Sequence, residues 1–353
     1  MKAIKKHWWK ALAVILLVYT MLFSFLIPLS PTIKSASPSS LEIGNNRIVL
    51  TGYNTNFQEG EIIDASIEFG KKTLVCGKNI KVLSPNMISA EFNVPESLPS
   101  KVLHVRLNTT RFSSFSPELV KAFTIIENND TNNLCMASRP FGNSAQQFDF
   151  PNRLQLNETI RNLMFHVPMW FTMMIILGIS VVCSIIYLFT FNIKWDIFAR
   201  EAVNVGLLFA FLGLITGSIW AKFTWSEHTD LFTTAGWWVN DVKLNGAAIT
   251  TLIYLAYRIL RNSLQEDHQK AKVSGVYNIF AFVLMVVFLI ILPRLTDSLH
   301  PGNGGNPAFG KYDLDNTMRM VFYPAVIGWI LLGIWMVNLK KRISNIENTL
   351  DYE

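Results

Sequence analysis

The chain of 353 residues has few charged residues and few cysteines, and each shortage excludes some classes of protein or site. Charged residues make up 16% of the composition, hydrophobic residues make up 50%, and the mean hydropathy is positive. A chain this apolar is typical of a membrane protein. The sequence has no Gly-rich phosphate-binding loop, and the cytoplasmic loops of the topology derived below are too short for an ATPase. Any ATP-driven step would therefore belong to another subunit.

Only three cysteines are present. They form no Cys-x-x-Cys pair or Cys/His cluster, so the sequence gives no sign of a zinc site. Cys183 lies in a predicted membrane span and is interpreted as a small apolar residue. Cys76 and Cys135 fall in a segment predicted to be exported. That compartment permits a disulfide, and the sequence leaves open whether they pair.

Long apolar runs are the most prominent feature of the sequence. A span takes roughly 20 mostly apolar residues, and we predict spans at 11–29, 167–191, 202–220, 244–260, 276–292 and 320–337. The fourth is short and carries Asn, Thr and Arg near its ends. The first follows a basic start, as a signal peptide does. Its apolar run exceeds an h-region of about 7–15 residues, so we interpret it as an uncleaved anchor.

Basic residues predict the orientation. With the N-terminus inside, the inner segments hold 13 Lys and Arg residues and the two short outer loops hold five. Lys and Arg are enriched in cytoplasmic loops. We therefore expect both termini to be inside, and the loops after the third and fifth spans to lie on the outer face.

The exported segment between the first two spans has a strand pattern. Residues 32–127 contain short alternating runs separated by Gly, Pro and Asn, which predict a small β-sandwich. The opening, residues 31–57, resembles the start of the IPT/TIG immunoglobulin-like domains. The predicted fold is thus mainly α: a six-helix transmembrane bundle with an exported immunoglobulin-like β-sandwich inserted between its first two helices.

This pattern divides the chain into five parts. They are an N-terminal anchor (1–30), the exported β domain (31–127), a polar Asn-rich linker (128–160), a five-helix membrane domain (161–342) and a cytoplasmic tail (343–353).

The predicted outer rim of the bundle collects Trp, His and Asp residues. Its members are His166, Trp220, Trp225, Trp237, Trp238, Asp241, Lys243 and His300. A single Trp there is most simply part of an aromatic belt, because its ring is amphipathic. A single His at a helix end is usually a surface residue. Four Trp within 19 residues, beside an Asp and between two His on the same side, favour a ligand site instead.

Haem is a ligand that would use the whole set. Its macrocycle stacks on indole rings, its iron takes two axial imidazoles, and its propionates pair with basic side chains. Four basic residues are near enough in sequence to be propionate partners: Lys222, Lys243, Arg294 and Arg319. His228 is a third histidine candidate, whereas His7, His104 and His268 are interpreted as structural or solvated. Spacing alone does not name the ligand.

The same residues resemble the tryptophan-rich WWD signature of haem-handling proteins, specifically the CcmC family of cytochrome c maturation. The matching stretches are WAKFTW (220–225), GWWVNDVKL (236–244), FHVPMW (165–170) and LHP (299–301). The sequence departs from the family pattern at three points. Asn240 replaces the third Trp, Lys243 replaces an Arg, and the insert 226–235 splits the motif. The exported β domain is also absent from the usual short form.

The resemblance implies a protein of the bacterial inner membrane that holds haem b at the outer face. It implies delivery of that haem to a CcmE-like chaperone, alongside CcmA/CcmB-like ABC transporter subunits and a small CcmD-like subunit, with no role for nucleic acid. His166 and His300 would be the axial ligands. Trp220, Trp225, Trp237, Trp238 and Asp241 would form the platform. Covalent attachment of haem would belong to other proteins, so the chain itself would not be an enzyme.

Three other interpretations stay open at this stage. A CcsA-like or CcmF-like cytochrome c haem lyase shares the signature but adds histidines within its helices. A b-type cytochrome places His pairs inside facing helices. The sequence has no His in the interior of any predicted span, which disfavours both. A permease with an aromatic belt is the third. For the β domain, partner docking and a spacer role are equally open.

Overall fold

The computed structural model describes residues 2–69, 73–94, 102–115, 119–121, 134–135, 148–153, 156–226, 232, 234–300 and 313–350. The chain forms two compact units. The membrane unit comprises Met1–Leu26 and Thr159–Glu353, and the β unit comprises Ile27–Glu158. The β unit is thus inserted directly after the first helix, in the order that the sequence predicts.

The membrane unit is built from long helices joined by short connections. They are α1 (Lys2–Leu26), α2 (Leu163–Thr190), α3 (Ile193–Thr224), α4 (Val242–Ser263), α5 (Asp267–Val286), α6 (Leu292–Leu295) and α7 (Asn316–Leu350). A 3-10 helix, Asn157–Asn162, precedes α2, and a π-helical turn, Val287–Ile291, joins α5 to α6. With α5 and α6 counted as one rod, the described part of the chain has six long helices.

Five of these helices are long and apolar enough to cross a membrane, and α4 is not among them. The predicted span 244–260 does form a helix, but a sixth membrane-spanning helix is not confirmed. The reason lies in the polar residues of α4. Thr251 and Arg261 are buried in the bundle. The Thr251 hydroxyl donates to the Ala247 carbonyl, and Arg261 donates to Asp196 of α3. A helix covered by its neighbours can carry such groups once they find partners.

Capping residues fix where the helices begin and end. Phe191 closes α2 with a left-handed φ of 53°, and Asn192 caps α3 by accepting from the Lys194 N–H. Asp241 and Glu266 cap α4 and α5 in the same way. Side-chain caps satisfy backbone N–H groups that have no partner within the helix. The two-residue turn at 191–192 makes α2 and α3 an antiparallel pair.

Small residues let α2 and α3 approach closely. A Cβ on Gly206, Gly213 or Gly217 of α3 would lie 2.6–2.8 Å from the side chains of Leu177, Trp170 and His166 respectively. Membrane helices commonly use small residues at such interfaces, because apolar lipid supplies no hydrophobic drive for helix association. The glycines of α3 therefore make room for large side chains of α2.

Three hydrogen bonds tie down the 3-10 helix that enters α2. Thr159 Oγ1 bonds Thr224 Oγ1 at 2.9 Å, Arg161 Nη1 donates to the Ser24 carbonyl at 2.5 Å, and Asn162 Nδ2 donates to the Thr216 carbonyl at 2.9 Å. The start of α2 is thereby held against the ends of α1 and α3.

The β unit contains two sheets. Its strands are β1 (Thr32–Ser37), β2 (Ser40–Leu41), β3 (Gly44–Tyr53), β4 (Ile63–Phe69), β5 (Thr73–Cys76), β6 (Lys78–Ser84), β7 (Met87–Val94), β8 (Val102–Thr109), β9 (Ser113–Phe115), β10 (Leu119–Lys121) and β11 (Leu134–Cys135). One sheet has the order β1-β3-β7-β6. The other has the order β11-β5-β4-β8-β10-β2, with β9 paired to β8.

Both sheets contribute to one apolar core, which includes Ile48 and Phe92 from the first sheet and Ile67 and Val105 from the second. Cys76 is disulfide-bonded, whereas Cys183 is free and buried in α2. Strand β11 and a bridge between Phe150 and Leu29 fall within the stretch predicted to be a linker. The likeness to an immunoglobulin sandwich stays a prediction.

Candidate functional site

The candidate residues gather at one end of the membrane unit. His166 lies in the first turn of α2, Trp220 and Trp225 at the end of α3, Asp241 at the start of α4, and His300 in the loop after α6. Direct contacts join them: His166 touches Trp220, and His300 touches both Trp225 and Asp241. These contacts bring together the start of α2, the end of α3, the start of α4 and the loop after α6.

His166 is buried, with 5% of its surface exposed. Its Nδ1 lies 3.0 Å from Thr216 Oγ1. The Thr216 hydroxyl lies 2.8 and 3.1 Å from the carbonyls of Leu212 and Gly213, and with its proton directed to them it accepts from the imidazole. The neutral ring therefore carries its proton on Nδ1, and Nε2 presents a lone pair. That is the state in which histidine binds a metal.

His300 is held in the same tautomer by a different partner. Its Nδ1 lies 2.9 Å from Asp241 Oδ1, and an ionised carboxylate can only accept. The proton is again on Nδ1, which leaves Nε2 free. A carboxylate behind the distal nitrogen of a metal-binding imidazole fixes the orientation of the ring and increases its basicity.

Asp241 organises this corner of the structure. Its carboxylate caps α4 by accepting from the backbone N–H groups of Lys243 and Leu244. It also accepts from Ser298 Oγ and from the Leu299 N–H, each at 2.8 Å. The start of α4 and the loop that carries His300 are therefore joined through one side chain.

The surroundings of Asp241 keep it ionised. Its burial raises the pKa, but hydrogen bonds from His300, Ser298 and the Leu299 N–H outweigh that effect. The pKa of Asp241 therefore lies well below the ordinary range of an Asp. At neutral pH the carboxylate is charged and can only accept hydrogen bonds, as its position behind His300 requires.

Each histidine lies edge-on to a tryptophan of α3. The ring centroids are 5.6 Å apart for His166 and Trp220 and 4.9 Å apart for His300 and Trp225. The two Trp are five residues apart, which corresponds to a rise of about 7.5 Å along a helix. The last turns of α3 thus place both imidazoles within a short distance along one axis.

The WW stretch forms the turn that leads into α4. Gly236 has a φ of +85°, and a Cβ there would lie 2.1 Å from Ser226 Oγ, so both the conformation and the space require glycine. Trp238 is 46% exposed, and its Nε1 donates to Asn245 Oδ1 at 3.1 Å. Asn245 in turn donates to Asn240 Oδ1 at 2.8 Å. Asn240, which replaces an indole of the family signature, thus helps to orient Trp238.

Lys222 is used differently from the prediction that it pairs with a propionate. The side chain is fully buried, and Nζ donates to the Ala235 carbonyl at 2.6 Å. It also lies 5.9 Å from the ring centroid of Trp237. The Lys222 ammonium group therefore stabilises the loop that carries Trp237, because the Ala235 carbonyl and the aromatic ring both attract a cation.

The other basic candidates surround the site less closely. Lys243 is half-buried in the first turn of α4, Arg294 is exposed at the end of α6, and Arg319 is half-buried at the start of α7. Nε of Arg319 is buried without a hydrogen-bond partner in the described chain. His228 and most of the insert lie outside the described residues.

Sequence reasoning missed the residues that orient His166 and His300. Thr216, Ser298 and Gly217 are small residues in unremarkable positions, and none carries a sequence signal of its own. Gly217 shows its role only in the packing, since a Cβ there would lie 2.8 Å from His166 Cε1. The sequence offers one indication of the role of Thr216: it lies one helical turn before Trp220, so both side chains are on the same face of the helix.

Comparisons with known proteins assign the chain to a family. The family model of heme exporter protein C (CcmC) matches residues 108–351. Heme exporter protein C of Haemophilus influenzae is 25% identical over 201 residues, which cover 55% of this chain and 74% of that protein. The protein of that name from Paracoccus denitrificans is 24% identical over 192 residues, covering 54% and 76%. The Escherichia coli K12 protein is 23% identical over 199 residues, covering 54% and 73%.

The matched region contains every candidate residue from His166 to His300, and it extends over more than half of the chain. On that match, together with the WWD residues and the two histidines gathered at one end of the bundle, the chain belongs to the CcmC, or heme exporter protein C, family.

Proposed function

We propose that the chain binds haem b transiently, with the iron between His166 and His300, at the outer face of the bacterial inner membrane. The observation that carries the proposal is the matched state of the two imidazoles. Each Nδ1 is occupied by an acceptor, Thr216 or Asp241, and each Nε2 is left for a metal. Bis-imidazole ligation of haem iron requires two such nitrogens.

The residues around the imidazoles also fit haem. Trp225 and the exposed Trp238 offer apolar ring surface on which a macrocycle can stack. Trp220 Nε1 is buried without a hydrogen-bond partner in the described part of the chain, and a propionate oxygen would satisfy it. Lys243, Arg294 and Arg319 supply positive charge on the segments that surround the site. The chain would hold and orient haem, while the iron chemistry is that of the haem.

Delivery is the second part of the proposal. The haem would pass to a CcmE-like chaperone, in a complex with CcmA/CcmB-like transporter subunits and a small CcmD-like subunit. The exposure of Trp238 supports a site that a partner can approach. A haem lyase of the CcsA or CcmF type is the alternative. It is disfavoured because the described histidines of the membrane unit lie near helix starts or in a loop, at positions 7, 166, 268 and 300.

The test is an absorption spectrum of the purified full chain produced with ample haem. We expect a Soret band that falls or shifts in His166→Ala and in His300→Ala, because each substitution removes one axial ligand. His268→Ala is the matched control, since His268 lies at the start of α5 and contacts Tyr187. A colourless parent, or spectra that neither site variant changes, would refute the assignment of the ligands.

Delivery needs its own measurement. Haem-loaded protein is mixed with a purified, soluble CcmE-like chaperone, and the two are then separated. We expect the Soret absorbance to leave with the chaperone. If the haem stays with the chain while the spectra still assign His166 and His300, the delivery step is wrong and the haem site stands.

A further inference from the structure

A second polar site lies at the opposite end of the membrane unit, between α3, α4 and α7. It is a half-open cavity of about 550 Å³. Its lining includes four cationic side chains, Arg200, Arg258, Arg261 and Lys340, and two acidic ones, Glu201 and Glu347. Arg200 and Trp220 are 20 residues apart on α3, about 30 Å along a helix. The cavity is therefore separate from the candidate haem site.

The buried charges of this region largely neutralise one another. Arg261 donates to both carboxylate oxygens of Asp196, at 2.8 and 2.5 Å, and both side chains are buried. Glu201 accepts from Arg200 at 2.7 Å, and also from Asn204 and Ser344. These bonds hold α3 against α4 and α7, and they leave the exposed Glu347 as the acidic lining residue that takes no part in them.

Two cations are left over. Arg258 and Lys340 are exposed and make no hydrogen bond or ion pair with any residue that the structure describes. They lie on different helices and line the same cavity. With Glu347 counted, the lining has an excess of positive charge, and an excess of one sign of charge in a cleft raises the local concentration of the opposite ion. Arg and Lys also form strong charge-assisted hydrogen bonds to phosphate.

The depth of these cations matches a lipid headgroup. Arg258 lies at the end of the predicted span 244–260, and Lys340 lies three residues beyond the span 320–337. Next to them, Met336, Leu339 and Ile343 add an apolar wall, and Leu339 and Ile343 are about half exposed. Cationic groups beside an exposed apolar face suit an anionic amphiphile rather than a soluble anion. Basic pockets between membrane helices on the cytoplasmic side bind such headgroups.

We propose that this cavity binds the phosphate of an anionic phospholipid through Arg258 and Lys340, with the acyl chains along Met336, Leu339 and Ile343. The site is independent of haem binding. A bound lipid would contact α4 and α7, so it would hold in place the helix that is least apolar of the six.

The test is native mass spectrometry of the full chain reconstituted with phosphatidylglycerol or with phosphatidylcholine. We expect the parent to retain phosphatidylglycerol selectively, and Arg258→Gln with Lys340→Gln to reduce that retention at least tenfold. Arg258→Lys with Lys340→Arg should retain the lipid, because the charges are kept. Lys272→Gln is the matched control. It removes an exposed cation of α5 at the same end, outside the cavity.

Three results would overturn the proposal. The first is equal retention of phosphatidylglycerol by the parent and the double Gln variant, provided that variant elutes as a monodisperse peak. The second is displacement of the lipid by millimolar inorganic phosphate, which would make this a site for a free anion. The third is displacement of the lipid by hemin in the parent alone, which would make it a haem site.

Discussion

At the scale of single residues, Asp241 has the widest influence on the candidate site. The carboxylate caps α4, binds the loop after α6 and fixes the tautomer of His300. A residue with so many donors around it cannot be replaced by a neutral isostere without a mismatch. An Asn amide nitrogen would face at least one of the groups that now donate to the carboxylate.

We therefore expect Asp241→Asn to weaken haem binding by about 10–100-fold, the usual effect of losing a partner behind a metal-binding histidine. Titration of the purified variant with hemin, followed at the Soret band, measures the change. Asp297→Asn is the control, because Asp297 is an exposed residue of the same loop. An affinity for hemin equal to that of the parent would mean that Asp241 serves the fold and not the ligand.

The sequence carries much of this residue-scale information, but not all of it. Trp and His are rare, costly to place at random in a membrane protein, and here they are concentrated in one predicted rim. Thr216 and Ser298 are common residue types, so only the structure reveals their roles. Lys222 shows the opposite case. The sequence suggests that Lys222 pairs with a haem propionate, but in the fold the side chain is buried against the Ala235 carbonyl and the Trp237 ring.

At the scale of helices and strands, the pairing of α2 with α3 positions the buried histidine. Gly217 faces the edge of the His166 imidazole, and Gly213 faces Trp170. Adding a methyl group to a tightly packed interface costs about 1–3 kcal/mol, because neighbouring side chains must leave their preferred rotamers. Here the neighbour that must move is the proposed iron ligand.

Gly217→Ala is accordingly expected to lower both the thermal stability of the bundle and the absorbance of the haem complex. Gly178→Ala is the control. A Cβ at Gly178 would meet its nearest atom, in Phe282, at an ordinary contact distance of 3.7 Å. Thermal melting and haem spectra of the two variants give the comparison. Indistinguishable results for them would show that the α2–α3 interface has room that the packing does not suggest.

In the β unit, an ion pair and two further hydrogen bonds join two loops. Arg111 donates to both carboxylate oxygens of Glu61, at 3.1 and 2.9 Å, and to the carbonyls of Thr55 and Asn56. Burial raises the pKa of Glu61, but the hydrogen bonds from Arg111 and Gln58 and the charge of Arg111 bring it below its usual value. A carboxylate with a lowered pKa stabilises the fold above its unfolded pKa.

Glu61→Gln should therefore loosen the loops around residues 55–61 and 109–112 near neutral pH. The cost is about 0.2–1 kcal/mol, because Arg111 is partly exposed. Hydrogen exchange of the full chain compares parent and variant. The difference in protection should be full at pH 6 and shrink as the pH falls through the lowered pKa of Glu61, below about 4.3. A difference that does not change with pH would rule out the ion pair as its source.

Element positions follow from the sequence where one strong pattern decides them. Run length predicts the five apolar helices, and each of them begins before its predicted span because polar turns precede the apolar run. At their C-terminal ends α3, α6 and α7 also extend beyond the predicted spans, whereas α1 and α2 end slightly before them. Helix α4 was the exception. Its polar residues lower its hydropathy because they make contacts inside the bundle, such as that of Arg261 with Asp196. These two residues are 65 positions apart, and neither segment alone shows that they pair.

At the scale of the whole molecule, the chain is a membrane unit with a β unit inserted between α1 and α2. The two ends of the insertion point lie together, since Arg161 donates to the Ser24 carbonyl. All the candidate haem residues belong to the membrane unit. Insertions are best tolerated where the two attachment points are close.

Replacing residues 27–158 by a short Gly/Ser linker should thus leave the haem spectrum of the membrane unit unchanged. The measurement is the Soret band of the shortened protein beside that of the parent. Its control is the same deletion combined with His300→Ala, which should lose the band as the full-length variant does. A shortened protein that folds but binds no haem would assign the β unit a direct part in the site.

The anchored 3-10 helix before α2 has a mechanical consequence. The chain passes from the β unit into the membrane unit at Thr159, seven residues before His166. Thr159, Arg161 and Asn162 are bonded to Thr224, Ser24 and Thr216, so a force on the chain before Thr159 acts on α1 and α3 before it reaches His166. These three bonds therefore protect the position of the proposed iron ligand from strain that enters along the backbone.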